Sequence, residues 1–273
     1  MGLMVGSFLN VVIHRLPRML EQQWRLQCAE CSEASPTTPT PAPTTYNLAL
    51  PASHCPGCGH TLTVIENIPL LSFLMQRGRC RACGIPISRR YPMIETIAGL
   101  SGAVVVWHFG LTWQAGAALG LSWTLIAASA IDLEHQLLPD VITLPLLWFG
   151  LALSLGGIFV GPSTAIIGAM AGYLSLWGVY WIFRLLTGKE GMGYGDFKLL
   201  AALGAWMGWQ TLPVVVLFFS LVGAVVGIAL ILAGGRDRRQ PIPFGPFLAA
   251  AGWIALLWGR DLFYVYLRWS RLL

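Results

Sequence analysis

A nearly unbroken series of apolar stretches fills the chain after about residue 94, and this series constrains the fold most. The stretches cover residues 94–109, 112–131, 138–160, 163–186, 196–210, 212–234 and 244–263. Lipid leaves the backbone no alternative to a helix except a closed barrel, and these runs are too long for barrel strands. Hydrophobic residues make up 56% of the chain and charged residues only 11%, which excludes a soluble globular domain.

The N-terminal apolar stretch, residues 1–14, is shorter than a membrane span. About 13 residues at about 1.5 Å each cover only about 20 Å. We interpret the stretch as a truncated first transmembrane helix, with a re-entrant segment or a misassigned start as alternatives. A cleaved signal peptide is disfavoured because no basic segment precedes the apolar residues. The sequence therefore predicts an all-α polytopic membrane protein with about eight transmembrane segments, the first of them truncated.

The basic residues indicate how the chain is oriented in the membrane. They lie in or near residues 15–91, 132–138, 187–195 and 235–243, with exceptions only at Arg260, Arg268 and Arg271. Loops near residues 110, 161 and 211 carry none. The positive-inside rule places the first set of loops in the cytoplasm. Basic residues between apolar spans set topology, so we expect phospholipid headgroups as partners and no nucleic acid.

Two Cys-x-x-Cys pairs predict a metal site in the polar region. Cys55 and Cys58 form one pair, and Cys80 and Cys83 form the other. Four thiolates suit a tetrahedral structural zinc ion, with a redox or unligated role as the alternative. A cytoplasmic location argues against disulfides. Cys28 and Cys31 form a third pair, which we interpret as incidental, a contribution to metal binding being the alternative.

These features divide the chain into three predicted domains. Residues 1–14 form the truncated first helix, and residues 15–93 form a small cytoplasmic zinc-binding region. Residues 94–273 form the multi-helix membrane domain. The Pro- and Thr-rich run at residues 35–45 is expected to be extended and solvated.

Two aspartates at the ends of apolar stretches are candidate catalytic residues. Asp132 ends one stretch, and Asp196 begins another after the glycine-rich approach G-M-G-Y-G. An ionisable group at membrane depth costs several kcal/mol and therefore indicates function. Two adjacent carboxylates can share one proton and activate a water molecule, as in aspartic proteases. The alternative is that both aspartates only cap helices near the headgroups, a role that also suits Asp140.

With these residues the chain resembles the type IV prepilin peptidases. The resemblance includes G-S-F-L-N-V-V-I-H-R-L-P at 6–17, C-P-G-C-G at 55–59, E-N-I-P-L at 66–70 and R-Y-P at 90–92. It continues through D-L-E-H-Q-L-L-P-D at 132–140, T-G-K-E-G-M-G-Y-G-D-F-K-L-L at 187–200 and P-I-P-F-G-P-F at 241–247. The Cys28/Cys31 pair and the short first helix depart from the family pattern.

The resemblance implies a bifunctional enzyme of the bacterial inner membrane. It implies cleavage of prepilin and type II secretion pseudopilin leaders after a glycine at the cytoplasmic face, with Asp132 and Asp196 as the catalytic pair. It also implies methylation of the new N-terminal residue from S-adenosylmethionine, and zinc ligation by Cys55, Cys58, Cys80 and Cys83. The residues that bind the methyl donor are not identified, and residues 66–95 are where we would look for them.

Three other functions are compatible with parts of the pattern. A G-x-G-D intramembrane protease without methyltransferase activity would use the same aspartates on other substrates. A proton-coupled transporter would use two membrane carboxylates as a relay, but it would leave the cysteine region unexplained. A zinc-bearing membrane scaffold without chemistry would tolerate substitution of both aspartates.

Overall fold

The computed structural model describes residues 1–31, 46–63, 65–189, 191–232 and 243–269. The low-complexity run at residues 35–45, the basic residues Arg236, Arg238 and Arg239, and Arg271 lie outside the described residues. The chain forms two compact units, Met1–Ala103 and Val104–Leu273. Within the described residues the regular structure is helical, with two isolated β-bridges as its only strand-like pairing.

The first unit contains two long helices and a small polar region between them in the chain. Its elements are α1 Gly2–Cys31, a 3₁₀ turn at Ile65–Asn67, α2 Leu71–Met75 and the first part of α3 Arg90–Phe109. Helix α1 extends well beyond the apolar stretch of residues 1–14. The helix continues past residue 14 because the segment that follows is rich in Leu, Arg, Glu and Gln, which are good helix formers.

Helix α1 packs closely on α3 because it carries small residues there. A Cβ atom added to Gly6 would lie 2.6 Å from the Cα atom of Glu95, so only glycine allows this approach. The buried Asn10 side-chain amide donates to the Tyr91 carbonyl at 3.1 Å. Glu95 in turn accepts the Leu70 backbone N–H at 2.8 Å, which fastens the E-N-I-P-L segment to α3.

The second unit is a helical bundle built around one short, enclosed helix. Its elements after α3 are α4 Trp113–His135, α5 Asp140–Leu155, α6 Pro162–Thr187, α7 Tyr194–Met207, α8 Leu212–Leu232 and α9 Gly245–Trp269. Every residue of α7 from Asp196 to Met207 except Lys198 is buried. Helices α5, α6 and α9 pack around α7, so the unit has its core there.

Close backbone contact joins α6 to α7. Gly168 and Gly172 on α6 face Gly204 and Leu200 on α7, and a Cβ atom on Gly168 would overlap the Gly204 carbonyl oxygen. Membrane helices associate through such small residues because lipid provides no hydrophobic drive between them. The contact buries α7 and holds its first turn, where Asp196 lies.

The expectation of eight membrane segments is not confirmed. Among the described residues, four helical stretches are long and apolar enough to span a bilayer: Arg90–Phe109, Trp113–His135, Pro162–Thr187 and Trp209–Ala229. The apolar helices Asp140–Leu155 and Gly245–Gly259 are shorter, and α7 has only 14 residues. The stretch at residues 138–160 is longer than α5 because apolar turn residues, such as Ile158 and Phe159, follow the helix. Four spans still make this a multi-pass membrane protein.

Candidate active site and metal centre

Asp132 lies in the last turn of α4 and is hydrogen-bonded to the start of α9. Only 6% of the residue is exposed. Its Oδ2 atom accepts a buried hydrogen bond from the Gly245 backbone N–H at 2.9 Å. Gln136, with a φ of 52°, is in the left-handed conformation and ends α4 one turn after Asp132. A Cβ atom on Gly245 would lie 2.6 Å from Asp132 Oδ2, so glycine is required for this contact.

Asp196 lies in the first turn of α7 and is also 6% exposed. The glycine-rich segment before Asp196 allows close packing on Leu138, because a Cβ atom on Gly195 would lie 2.6 Å from the Leu138 Cβ atom. The Gly193 backbone N–H faces the Asp196 carboxyl group. Its Oδ1 atom is buried and has no hydrogen-bond partner among the described residues. An unpartnered buried oxygen is costly and points to a role other than helix capping.

The structure brings the two aspartates to one cavity. The cavity has a volume of about 190 Å³ and is formed by the end of α4, the approach to α7 and the residues before α9. Because both aspartates line this one cavity, their carboxyl groups are neighbours, and ionisation of both together is disfavoured. The lining residues are Asp132, Gln136, Leu138, Gly191, Met192, Gly193, Gly195, Asp196, Pro243 and Phe244.

Asp140 is paired rather than only capping a helix. It lies in the first turn of α5, and the N-cap position is Pro139. Lys198 Nζ contacts its two carboxylate oxygens at 2.6 Å and 2.7 Å. The pair joins α5 to α7 next to the cavity. Sequence reasoning missed this ion pair. Lys198 is visible in the sequence two residues after Asp196, but no local pattern connects it to Asp140.

Sequence reasoning also missed the role of Gly245. The P-I-P-F-G-P-F segment supports the family resemblance, yet no local pattern connects it to Asp132. Residues 241 and 242 of this segment lie outside the described residues. The described part shows that Pro243 and Phe244 line the cavity, while Gly245 donates to Asp132. Residues 243–245 are therefore part of the candidate active site.

The four predicted zinc ligands come together in the first unit. The Sγ atoms of Cys55, Cys58, Cys80 and Cys83 all lie within 4.8 Å of one another. The Cys55 and Cys83 sulfurs are 3.8 Å apart. A tetrahedral zinc with Zn–S bonds of about 2.3 Å requires sulfur separations of about 3.8 Å, so the donor set fits this ion.

The two Cys-x-x-Cys segments fold as near copies of each other. In the first, the Cys55 N–H donates to the His60 carbonyl, and in the second the Cys80 N–H donates to the Ile85 carbonyl. Gly59 and Gly84 both have positive φ, at 72° and 73°, where a side chain would be strained. This shared geometry brings the four thiols together as a possible site for one metal ion.

Local backbone donors prepare the knuckle thiols for metal binding. The N–H groups of Gly57 and Cys58 lower the pKa of the Cys55 thiol to about 7. The N–H groups of Cys83 and Ala82 similarly lower the pKa of the Cys80 thiol. Thiolates are the metal-binding form, so the lowered values at Cys55 and Cys80 favour ligation near neutral pH. At Cys83 the Ile85 N–H lowers the thiol pKa, but burial and the neighbouring sulfurs outweigh it and raise the pKa to about 12.

Among the side chains that the structure describes, no further residue joins the four-sulfur group. Cys28 lies on α1 and is exposed, outside the four-sulfur group, whereas the side chain of Cys31 lies outside what the structure describes. His60 contacts the buried Glu66 carboxylate at 3.2 Å. Glu66 also accepts the N–H and hydroxyl of Thr63, and these Thr63 donors lower its pKa. The contact between His60 and Glu66 therefore stabilises the turn next to the first knuckle.

Known families match both units of the chain. Residues 1–109 match the Bacterial Peptidase A24 N-terminal domain, and residues 119–228 match the Type IV leader peptidase family. A prepilin leader peptidase/N-methyltransferase from Pseudomonas aeruginosa is 55% identical over 99% of this chain and 92% of the relative. The chain belongs to the prepilin leader peptidase/N-methyltransferase family. No solved structure matches it.

Further relatives agree with this assignment. A prepilin leader peptidase/N-methyltransferase from Aeromonas hydrophila is 58% identical over 96% of this chain and 89% of its own length. One from Stutzerimonas stutzeri is 54% identical over the whole of this chain and 93% of its own length. Membership at this identity and coverage supports both a protease and a methyltransferase activity for the chain. A methyltransferase requires a methyl donor, and the cysteine cluster provides a possible metal site.

Proposed function

We propose that this protein removes the leader peptide of type IV prepilins and type II secretion pseudopilins. Cleavage follows a glycine at the cytoplasmic face of the bacterial inner membrane, and Asp132 and Asp196 are the catalytic residues. The observation that carries the proposal is that these two buried carboxyl groups, from different helices, line one cavity. The family relationship supplies the substrate class, and the distribution of basic loops supports the cytoplasmic orientation.

The cavity provides what peptide hydrolysis needs. Its volume of about 190 Å³ has room for water and a segment of peptide backbone. One carboxylate takes a proton from water as the oxygen attacks the glycine carbonyl carbon, while the other carboxyl group donates its proton to the carbonyl oxygen. Collapse of the tetrahedral intermediate then breaks the C–N bond, and a proton passes to the leaving amine. The hydrophobic segment of the substrate would lie among the membrane helices, with its basic leader at the cytoplasmic surface.

The second proposed activity is N-methylation of the residue exposed by cleavage. S-adenosylmethionine would supply the methyl group. Cys55, Cys58, Cys80 and Cys83 would hold zinc, which would cross-link the two knuckles and stabilise the polar part of the first unit. The fit of the sulfur separations to tetrahedral zinc supports this part of the proposal.

A single assay tests both activities. Purified enzyme in detergent is incubated with a prepilin and isotope-labelled S-adenosylmethionine, and mass spectrometry measures leader loss and methyl addition. We expect both mass changes in the parent protein. Asp132→Asn and Asp196→Asn should abolish cleavage, whereas Asp261→Asn, at an exposed position on α9, should retain it. Full cleavage by either of the first two variants would disprove the catalytic pair.

A further inference from the structure

The two carboxyl groups of the candidate active site have different surroundings. Asp132 Oδ2 accepts a 2.9 Å hydrogen bond from Gly245 N–H, and this bond is buried. Gly245 is the first residue of α9, so its N–H is one of the four that the helix itself leaves unpaired. The start of a helix also carries partial positive charge. An ionised carboxylate is the form that this N–H and this helix end stabilise.

Asp196 also lies beside a backbone N–H, but its Oδ1 atom has no donor among the described residues. The Gly193 N–H faces the carboxyl group, and Asp196 lies in the first turn of its own helix. These features resemble those at Asp132. The difference is Oδ1, which is buried and lacks a hydrogen-bond partner among the described residues. A negative charge spread onto this oxygen would have neither solvent nor a donor to stabilise it.

A proton on Asp196 removes this cost. It makes the carboxyl group neutral, and a neutral oxygen is much less costly to bury without a partner than a charged one. Two neighbouring carboxyl groups disfavour ionisation of both, so one proton is retained by the pair. We infer that Asp132 is the ionised member of the pair, stabilised by the Gly245 N–H, and that Asp196 holds the proton.

This inference rests on the proposed function, and it assigns the base and acid roles to the two aspartates. In the hydrolytic step, Asp132 accepts the proton of the attacking water, and the Asp196 proton goes to the carbonyl oxygen of the scissile bond. Gly245 is a positioning residue, because it acts through Asp132 and does not itself contact the reacting atoms. Its N–H keeps Asp132 both ionised and oriented.

Infrared spectroscopy of the purified protein tests the assignment without requiring turnover. The C=O band of a protonated carboxyl group is separate from the bands of a carboxylate, and the Asp132→Asn/Asp196→Asn double variant provides the baseline. We expect the protonated band in the parent protein and in Asp132→Asn, and its absence in Asp196→Asn. A protonated band in Asp196→Asn, or its loss in Asp132→Asn, would overturn the inference.

A second pair of variants tests the role of Gly245. A Cβ atom at this position would lie 2.6 Å from Asp132 Oδ2 and would displace the carboxylate from the N–H. Adding Gly245→Ala to Asp196→Asn should therefore produce a protonated band from Asp132. Gly120→Ala, on the same helix as Asp132 with open space at its Cβ position, should not. Absence of the band from the Gly245→Ala combination would overturn the role of this N–H.

The cleavage assay separates failure of this inference from failure of the proposed function. Full prepilin cleavage by both single aspartate variants would disprove the function, whatever the infrared spectra show. Loss of cleavage together with the reversed infrared pattern would retain the catalytic pair but overturn the assignment of the proton.

Discussion

Lys198 and Asp140 form a two-oxygen ion pair beside the candidate active site. Lys198 Nζ lies 2.6 Å and 2.7 Å from the two carboxylate oxygens. Lys198 follows Asp196 by two residues on α7, and Asp140 begins α5. In the same region a Cβ atom on Gly195 would nearly touch Leu138. The start of α7 is therefore attached to the start of α5 by charge, and to the segment between α4 and α5 by close packing.

Breaking this ion pair should lower kcat/KM for cleavage markedly and the free energy of unfolding only slightly. Both side chains are partly exposed, at 26% and 54%, so the ion pair contributes at most about 1 kcal/mol to folding. Lys198→Ala should lower kcat/KM for prepilin about tenfold or more, since small displacements of catalytic groups are costly. The measurement is a steady-state cleavage assay alongside a thermal unfolding curve. The charge-exchanged variant Lys198→Asp/Asp140→Lys should recover part of the activity, and lack of any loss in Lys198→Ala would contradict the prediction.

Gly245→Ala should impair cleavage through a direct clash with Asp132. The added methyl group would lie 2.6 Å from Oδ2, which forces the carboxylate or the start of α9 to move. We expect kcat to fall by about two orders of magnitude, since the reacting geometry tolerates little displacement. Gly120→Ala is the matched control, because its Cβ position is open and alanine favours helix over glycine. Equal activity of the two variants would exclude a role for this contact.

Cys55→Ser should release the metal from the first unit. The Sγ atom of Cys55 lies 3.8 Å from that of Cys83 within the four-sulfur group, and loss of one thiolate leaves an incomplete tetrahedral set. We expect elemental analysis to find one zinc per chain in the parent protein and little in Cys55→Ser. Cys28→Ser, outside the group, should keep the metal. A parent protein without zinc would refute the assignment.

Gly168→Ala should destabilise the second unit. Its Cβ atom would overlap the Gly204 carbonyl oxygen, so α6 and α7 would have to separate. Overpacking of this kind costs about 1–3 kcal/mol. Gly178→Ala on the same helix has open space at its Cβ position and should leave the unfolding midpoint in detergent nearly unchanged or slightly raised. A midpoint for Gly168→Ala as high as that of the control would show that this contact is not close in solution.

Local sequence accounts for the helical fold and for most of the candidate site residues. The apolar runs predicted helices in the right places, and α6 Pro162–Thr187 agrees with the predicted stretch at residues 163–186 almost to the residue. The knuckles were predictable because four cysteines at this spacing have few other uses. The predicted number of eight spans is not confirmed. Apolarity alone does not separate α7, which has only 14 residues and is enclosed by other helices, from a helix that crosses lipid.

The sequence by itself determined that the chain is a helical membrane protein. It also determined that two aspartates lie at the ends of apolar stretches and that four cysteines have the spacing of metal ligands. These are properties of composition and short spacing, which each segment carries locally. Only the tertiary structure decided that Gly245 donates to Asp132 across a separation of 113 residues, and that Lys198 binds Asp140 across 58. Such contacts depend on how glycine-bearing helices pack in three dimensions, and hydrophobic periodicity contains no information about which backbone N–H will meet which carboxylate.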